Sequence, residues 1–390
     1  MKFARLPVAY VPLVDAAPLI VARELGFAEA EGLDLDLIAA PSWSSVRDML
    51  ALGRVDAAHL LAPIPVAMAL GLGGVTTALS ALSVLSVNGN VIGVGRGLEA
   101  RLRAAGYGFD FSDAARAGAA LASVADGGIR FGVPFPFSMH AELLHYWFAA
   151  TPLGDAGVET RTVPPPLMAQ ALAAGEIDAF CVGEPWGSVS VDAGAGALLL
   201  PGKSIWAFAP EKVLAVRSDW IEAEPELRGR LMRAVWKSAR WLSQPDSRTA
   251  AAEVLARRDY LGLPSEIVDR ALSGHLTISG TGEQRHVAGF VEFQRGAAGF
   301  PGRSQARWIG ERLARRAGLD PAAARQKAGA VFRADCYRRD LKAVGAELPG
   351  ASEKLEGAIR HPMAVASDSG RLILHPDGFF DGTVFDPSAP

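Results

Sequence analysis

Short apolar runs alternate with helically spaced apolar positions through the first two hundred residues. The run 7–14 predicts a buried strand and 17–25 the helix behind it. The next phrase is a strand at 33–38, an N-cap candidate at Ser44, a helix to Leu52, a stop at Gly53 and an apolar strand at 55–61. The phrase then returns as a strand near 158–163, Pro164-Pro165-Pro166 opening a helix to Ala174, Gly175, and a strand at 177–182. Leu50-Ala-Leu-Gly-Arg-Val-Asp-Ala and Leu172-Ala-Ala-Gly-Glu-Ile-Asp-Ala stand 122 residues apart, and the offset still holds between Pro63 and Pro185.

Strand–helix–strand phrases build α/β layers, so their repetition predicts two similar α/β lobes around a central ligand cleft. The second lobe would begin with a strand at 129–134 and a helix at 140–150. Two extended crossings are predicted, one at 81–94 with Asn88-Gly89-Asn90 at its middle, the other a return strand at 212–217. Past Asp219 the spacing turns helical, with Leu227, Leu231, Val235 and Leu242 on one face of a helix at 225–243. Further helices at 248–261, 265–272, 284–297 and 304–317 would wrap the first lobe, ahead of an ordered but irregular tail from 372. The expected organisation is lobe one from 1–85 and 210–390, and lobe two from 86–209.

Composition narrows the function classes. With 390 residues, 50% apolar and 21% charged, the chain has ample core material and is neither disordered nor fibrous. A net charge of −3 gives no global field for a polyanion, and no direct nucleic-acid contact is expected. The local exception is 302–342, with 11 Lys+Arg against 4 Asp+Glu, which reads as a solvated helical face or as part of a partner surface. Residues 57–95 carry no Asp, Glu, Lys or Arg, but Pro63, Pro65, Gly71, Gly73 and Gly74 punctuate them, which favours a buried core over a membrane span. Lys2 and Arg5 precede apolar positions in the manner of an export leader. Pro12, Asp15 and Pro18 interrupt that stretch and no lipid-attachment Cys follows, so a cytoplasmic location is expected.

The residues suit binding better than catalysis. Cys181 and Cys336 show no CxxC spacing, and Cys181 with His140 lacks a strained elbow or a third orienting group, so no catalytic residue is assigned. Gly71-Leu-Gly-Gly and Gly93-Val-Gly-Arg-Gly lack the phosphate-loop pattern, and His140 and His145, five apart, fall on different helix faces; neither a metal nor a cofactor is expected. His140 follows Phe135-Pro-Phe-Ser-Met at a helix start, where free N–H groups and the helix dipole favour an anion. Gly183, within Cys181-Val-Gly-Glu-Pro-Trp186, lets the backbone approach a ligand closely, while Trp43 and Trp186 read either as cavity walls or as core.

Ser42-Trp-Ser-Ser-Val-Arg-Asp, Val163-Pro-Pro, Ile177-Asp-Ala-Phe-Cys-Val-Gly-Glu-Pro-Trp186, the segment from Trp206 through Pro210-Glu-Lys212, and Gly378-Phe-Phe-Asp-Gly-Thr-Val-Phe-Asp-Pro carry a resemblance. Over nearly the whole chain they resemble the nitrate-binding and bicarbonate-binding components of ABC importers. The resemblance implies a type II periplasmic-binding-protein fold in which Trp43, Asn88, Asn90, His140, Pro165, Val182, Gly183 and Lys212 line an oxyanion pocket. Lys212 suits nitrate better than bicarbonate, whose relatives use a bound calcium and an acidic residue near that position. Asn88 and Asn90 depart from the Gln of the nitrate-binding importers.

Within the family, the missing leader makes the chain similar to the cytoplasmic NasS-type nitrate/nitrite sensors, which release a NasT-type RNA-binding antiterminator when the anion binds. The function expected is therefore a sensor of nitrate or nitrite that controls nitrate assimilation. The alternative is an exported substrate-binding component of a nitrate or bicarbonate importer. A second alternative, an enzyme like the thiamine-pyrimidine synthases, shares the fold but uses a cysteine-rich segment not found here.

Overall fold

Two mixed sheets carry the structure, a computed structural model in which residues 3–389 are described. Ten strands build them: β1 (Ala4–Tyr10), β2 (Leu33–Ala39), β3 (Ala57–Leu61), β4 (Leu79–Asn88), β5 (Asn90–Gly95), β6 (Ile129–Val133), β7 (Val158–Thr162), β8 (Ala179–Gly183), β9 (Gly196–Pro201) and β10 (Pro210–Arg217). The first sheet runs β4-β10-β3-β1-β2, with the short strand Val291–Glu292 added outside β4. The second runs β9-β5-β8-β6-β7. Each has three parallel strands on one side, and β10 or β5, antiparallel to both its neighbours, on the other.

The two sheets are thus two settings of one topology, as the internal repeat predicts. β3 and β8 are offset by 122 residues at both ends. Ahead of each, a helix ends at a left-handed glycine, Gly53 with φ +69° and Gly175 with φ +70°, a conformation costly for any side chain with a Cβ.

The chain crosses between sheets twice. Gly89, with φ +90°, alone separates β4 from β5, and a Cβ there would meet the Val291 side chain at 3.1 Å. The return runs from β9 through residues 202–209 to β10. Asn88 ties the crossings together: its Nδ2 donates to Ala207 O at 2.9 Å and its Oδ1 accepts from Ala209 N–H at 3.2 Å.

The helix Pro225–Leu242 packs against Ala17–Glu24, burying Leu231, Met232 and Val235, while Ser238 Oγ donates to Pro18 O at 2.6 Å. Arg228 on the same helix is buried because Asp340 and the Ile221 carbonyl satisfy it at 2.7 and 2.6 Å. The helix Arg303–Ala317 lies against both Pro63–Ala69 and Met139–Ala149, so the C-terminal helices touch both halves. The tail returns as well, with Phe379 stacked on Trp206 at 4.9 Å between ring centroids and Asp381 accepting from Tyr146 Oη at 2.9 Å.

The helix expected at 284–297 does not form. Gln284–His286 pairs instead with His275–Thr277, and Val291–Glu292 extends the edge of β4, with Gly289 and Gly296 in left-handed turns between and after them. Pairing with an exposed strand edge satisfies this backbone where a helix interrupted by glycines would not.

The basic run 302–342 does not present an open basic face. Arg307 pairs with Glu353, Arg315 and Arg325 with Glu311, Arg316 with Glu142 and Arg333 with Asp335; Arg303, Arg312 and Arg338 are half-buried, and Lys327, Arg339 and Lys342 are exposed, as are the paired Arg315 and Arg316.

Candidate functional site

The ends of β1 and β8 meet across the cleft. Val14 N–H donates to Glu184 O and Trp186 Nε1–H to Pro12 O, both at 3.0 Å. Strand ends that run straight into helical turns face each other here, the place where α/β sheets collect ligands.

Local sequence aims each side chain. β1 leads into the turn Val14–Ala16, which holds Asp15. Ser42 caps the helix Trp43–Ala51, accepting from Ser45 N–H at 3.2 Å, so Trp43 becomes its first residue. The cap falls there and not at Ser44, because Ser42 has the extended backbone a cap requires. Ser138 caps Met139–Ala149 in the same way, accepting from Ala141 N–H at 3.1 Å, and puts His140 in the first turn.

Five ionisable side chains, none more than 1% exposed, converge: Asp15, His59 on β3, His140, and Glu211 and Lys212 on β10. Lys212 Nζ lies 2.7 Å from Asp15 Oδ2 and 3.0 Å from Glu211 Oε1. His59 Nε2 is 2.9 Å from Asp15 Oδ1, and His140 Nδ1 is 3.1 Å from Glu211 Oε1. The two histidine contacts are at ion-pair distance without the alignment of a hydrogen bond. Asn90 Nδ2 donates to Glu211 Oε2 at 2.7 Å. The Trp43 ring roofs the group, 5.4 Å from Lys212 Nζ and 5.3 Å from the His59 ring. A Cβ on Gly183 would come within 2.6 Å of Leu13 Cδ2 and 3.7 Å of both Asp15 Oδ2 and His140 Nε2, so only glycine lets β8 approach this closely.

Of the residues singled out from sequence, Trp43, Asn90, His140, Gly183 and Lys212 are therefore brought together. Val182 precedes Gly183 in β8, and Pro165 is buried at the start of the turn Pro165–Leu167. Asn88 directs both ends of its amide to the crossings, through Ala207 O and Ala209 N–H. Three site residues were not singled out. Asp15 was visible only as a polar break in an apolar stretch, Glu211 only as the neighbour of Lys212, and His59 gave no signal within its apolar strand.

Burial sets the electrostatics. It pushes His140 well below its ordinary value, with Lys212 adding to the shift and Asp15 opposing it. It likewise lowers His59 against the pull of Asp15. It raises Glu211, which Lys212 partly offsets. Burial would raise Asp15 too, but Lys212 and His59 outweigh it and hold that carboxyl low. Burial would lower Lys212, but Asp15 and Glu211 keep it firmly charged. Cys181 is a free, buried thiol raised by burial and then by Glu211, which suits a core residue and not a nucleophile.

Among the buried side-chain atoms here that make no hydrogen bond are Trp43 Nε1–H and His140 Nε2, together with His59 Nδ1 and Asn90 Oδ1. A buried donor with nothing to donate to is costly, and a small acceptor within its reach would recover that cost. Among the described residues, no group of three or more His, Cys, Asp or Glu is placed to hold a metal ion.

The NMT1-like family model matches residues 2–256. The nitrate/nitrite binding protein NrtA of Synechocystis sp. (strain ATCC 27184 / PCC 6803 / Kazusa) is 30% identical over 395 residues, covering 98% of this chain and 82% of that protein. The nitrate import ATP-binding protein NrtC of the same organism is 32% identical over 313 residues, covering 80% of this chain; the match spans only 46% of NrtC. The crystal structure of the periplasmic nitrate-binding protein NrtA from Synechocystis PCC 6803 superposes with a TM-score of 0.82 at 27% identity, covering 99% of this chain and 96% of that one.

Proposed function

The chain belongs to the NMT1-like family, and we propose that it is a solute-binding protein that takes nitrate or nitrite into the cleft between its two lobes. One observation carries this reading. The partnerless N–H of Trp43 and the partnerless Nε2 of His140 lie beside a buried ammonium in a chain alike in fold and sequence to NrtA. Charge-assisted hydrogen bonds are worth roughly 1.5–3 kcal/mol each, so three to five of them would support binding near −8 kcal/mol, which is about micromolar. Calorimetric titration with nitrate, nitrite and bicarbonate, the last with and without calcium, tests it. Saturable heat with nitrate or nitrite is expected. Saturable heat with bicarbonate alone, or with none of the three, would overturn the assignment.

NrtA and NrtC are named for nitrate binding and nitrate import, which supports the importer component, carried above as the alternative, over the cytoplasmic sensor. The two roles differ in the partner and in the form it takes: a membrane permease receives the ligand-bound protein, whereas a NasT-type antiterminator is held by the empty one. Size-exclusion chromatography with a co-encoded antiterminator, with and without nitrate, separates them. A complex that dissolves in nitrate would restore the sensor and its cytoplasmic location, and no complex leaves the importer component. Among the described residues, no helix is long and apolar enough to cross a membrane.

A further inference from the structure

The buried cluster sets a charge condition on whatever enters it. Asp15 and Glu211 bring two carboxylates and Lys212 one ammonium, so with both imidazoles neutral the sum is one negative charge. Cys181 on β8, the other titratable group facing Glu211 and Lys212, is a neutral thiol, and Asn90 on β5 is uncharged. A monovalent anion would double the negative charge in a place closed to water. Unpaired buried charge of that kind is prohibitive, and such sites adjust their protonation instead.

The geometry identifies where the adjustment falls. His140 meets Glu211 through Nδ1, and its Nε2 is partnerless on the side of Gly183. If the neutral imidazole carries its proton on Nδ1, Nε2 turns a lone pair toward the anion and repels it. If the proton sits on Nε2, the Nδ1 lone pair faces a carboxylate oxygen at 3.1 Å, which is tolerable only when Glu211 is itself protonated. Either way, a His140 that donates to an anion needs one proton more than a neutral imidazole beside a carboxylate holds.

We infer that the cleft takes up one proton with each anion, held on the His140–Glu211 pair across the two lobes. This rests on the oxyanion reading of the site. From the surrounding elements, Asp15 after β1, His59 on β3 and Lys212 on β10 all face the pair's surroundings. Lys212 is already charged and lies against Asp15, and His59 Nε2 is directed at Asp15, so a proton taken up there would pair with Asp15, whereas the His140–Glu211 pair places it beside the open Nε2 of His140. Burial raises Glu211, which favours the added proton, and lowers His140, which opposes an isolated imidazolium, so the proton belongs to the pair and not to His140 alone.

The test is calorimetry of the full chain with nitrate near pH 8 in two buffers of different ionisation enthalpy, followed by affinities from about pH 7 to pH 9. About one proton should be taken up per nitrate, and affinity should fall by up to tenfold per pH unit. Glu211→Gln removes one carboxylate and with it the need for the proton, so nitrate affinity, whatever its new level, should show little pH dependence and no buffer-dependent heat. A purely structural role for Glu211 would not produce that change. Nitrate binding by the unmodified chain with equal heats in both buffers and flat affinity overturns proton uptake while leaving the nitrate site standing. Absence of nitrate binding at every pH removes the site reading, and the inference with it.

Discussion

Lys212→Ala should destabilise the protein by about 3–5 kcal/mol near pH 8, the usual cost of removing one partner from a buried ion pair. The estimate follows from position: Nζ lies 2.7 Å from one buried carboxylate and 3.0 Å from another, and the side chain is fully buried. Without the ammonium, Asp15 and Glu211 face each other's field with only neutral imidazoles nearby, and burial becomes their dominant influence. Both carboxyls then sit above their unfolded values in the variant. A group whose folded pKa is raised stabilises the fold fully below its unfolded pKa and loses that contribution as pH rises through the folded value. The variant should therefore regain stability on acidification, by up to about 1.4 kcal/mol per pH unit for each proton taken up. In the unmodified chain, Asp15 is held low, so its contribution has the opposite sign: present above about pH 4 and lost as pH falls further.

The gap between the two proteins should thus narrow from pH 8 to pH 6. Urea unfolding followed by tryptophan fluorescence measures it, with 8 tryptophans in the chain as reporters. Lys212→Met, which keeps most of the volume without the charge, separates the electrostatic part from the cavity part. A loss under about 1 kcal/mol at pH 8, or a loss independent of pH, would refute the argument that this lysine is consumed by two carboxylates.

Trp43→Phe keeps the ring over Lys212 but removes an N–H that has no partner in the protein, so stability should hold while nitrate affinity falls about ten- to hundredfold by calorimetry; unchanged affinity would take the indole out of the site. Gly183→Ala places a Cβ 2.6 Å from Leu13 Cδ2 across the cleft, so we expect at least a tenfold loss of nitrate affinity and a larger radius of gyration in small-angle scattering; wild-type values for both would show that Leu13 yields instead.

The repeat of apolar runs and glycine stops made the two-sheet topology readable, because each phrase is a local strand–helix–strand unit whose form does not depend on distant residues. β3 and β8 sit where that repeat puts them. The segment 284–297 fails for the converse reason only in part: Gln284–His286 closes a local hairpin with His275–Thr277, whereas Val291–Glu292 is drawn to the edge of β4, distant in sequence. The site divides along the same line. Trp43 and His140 follow local caps, and Gly183 ends a strand, so motif reading reached them. Asp15 matters because the fold brings it onto the ammonium of Lys212, His59 because the fold brings it onto Asp15, and Glu211 because the fold sets it against Asn90 and His140; apart from the adjacency of residues 211 and 212, nothing in the spacing of the chain encodes these meetings. Asn88 has a structural task the spacing does not announce: at φ +60° its amide ties the two crossings through the backbone of Ala207 and Ala209.

Glu211 joins the binding chemistry to the shape of the molecule. It belongs to β10 of the first sheet, yet its oxygens are held by Asn90 of β5 and approached by His140 from the helix after β6, both in the second sheet's half. Separating the lobes would strip this carboxylate of two of its three neighbours and leave it with Lys212 alone. The proton shared with His140 therefore has its full value only when the lobes meet, and so does an anion that draws on Trp43 from one side and His140 from the other. A ligand shifts a conformational equilibrium only by its difference in affinity for the two states, and a swing from mostly open to mostly closed requires roughly 5 kcal/mol of such difference. Contacts divided between the lobes can supply it, whereas a site built wholly on the first sheet would bind open and closed forms alike and transmit nothing.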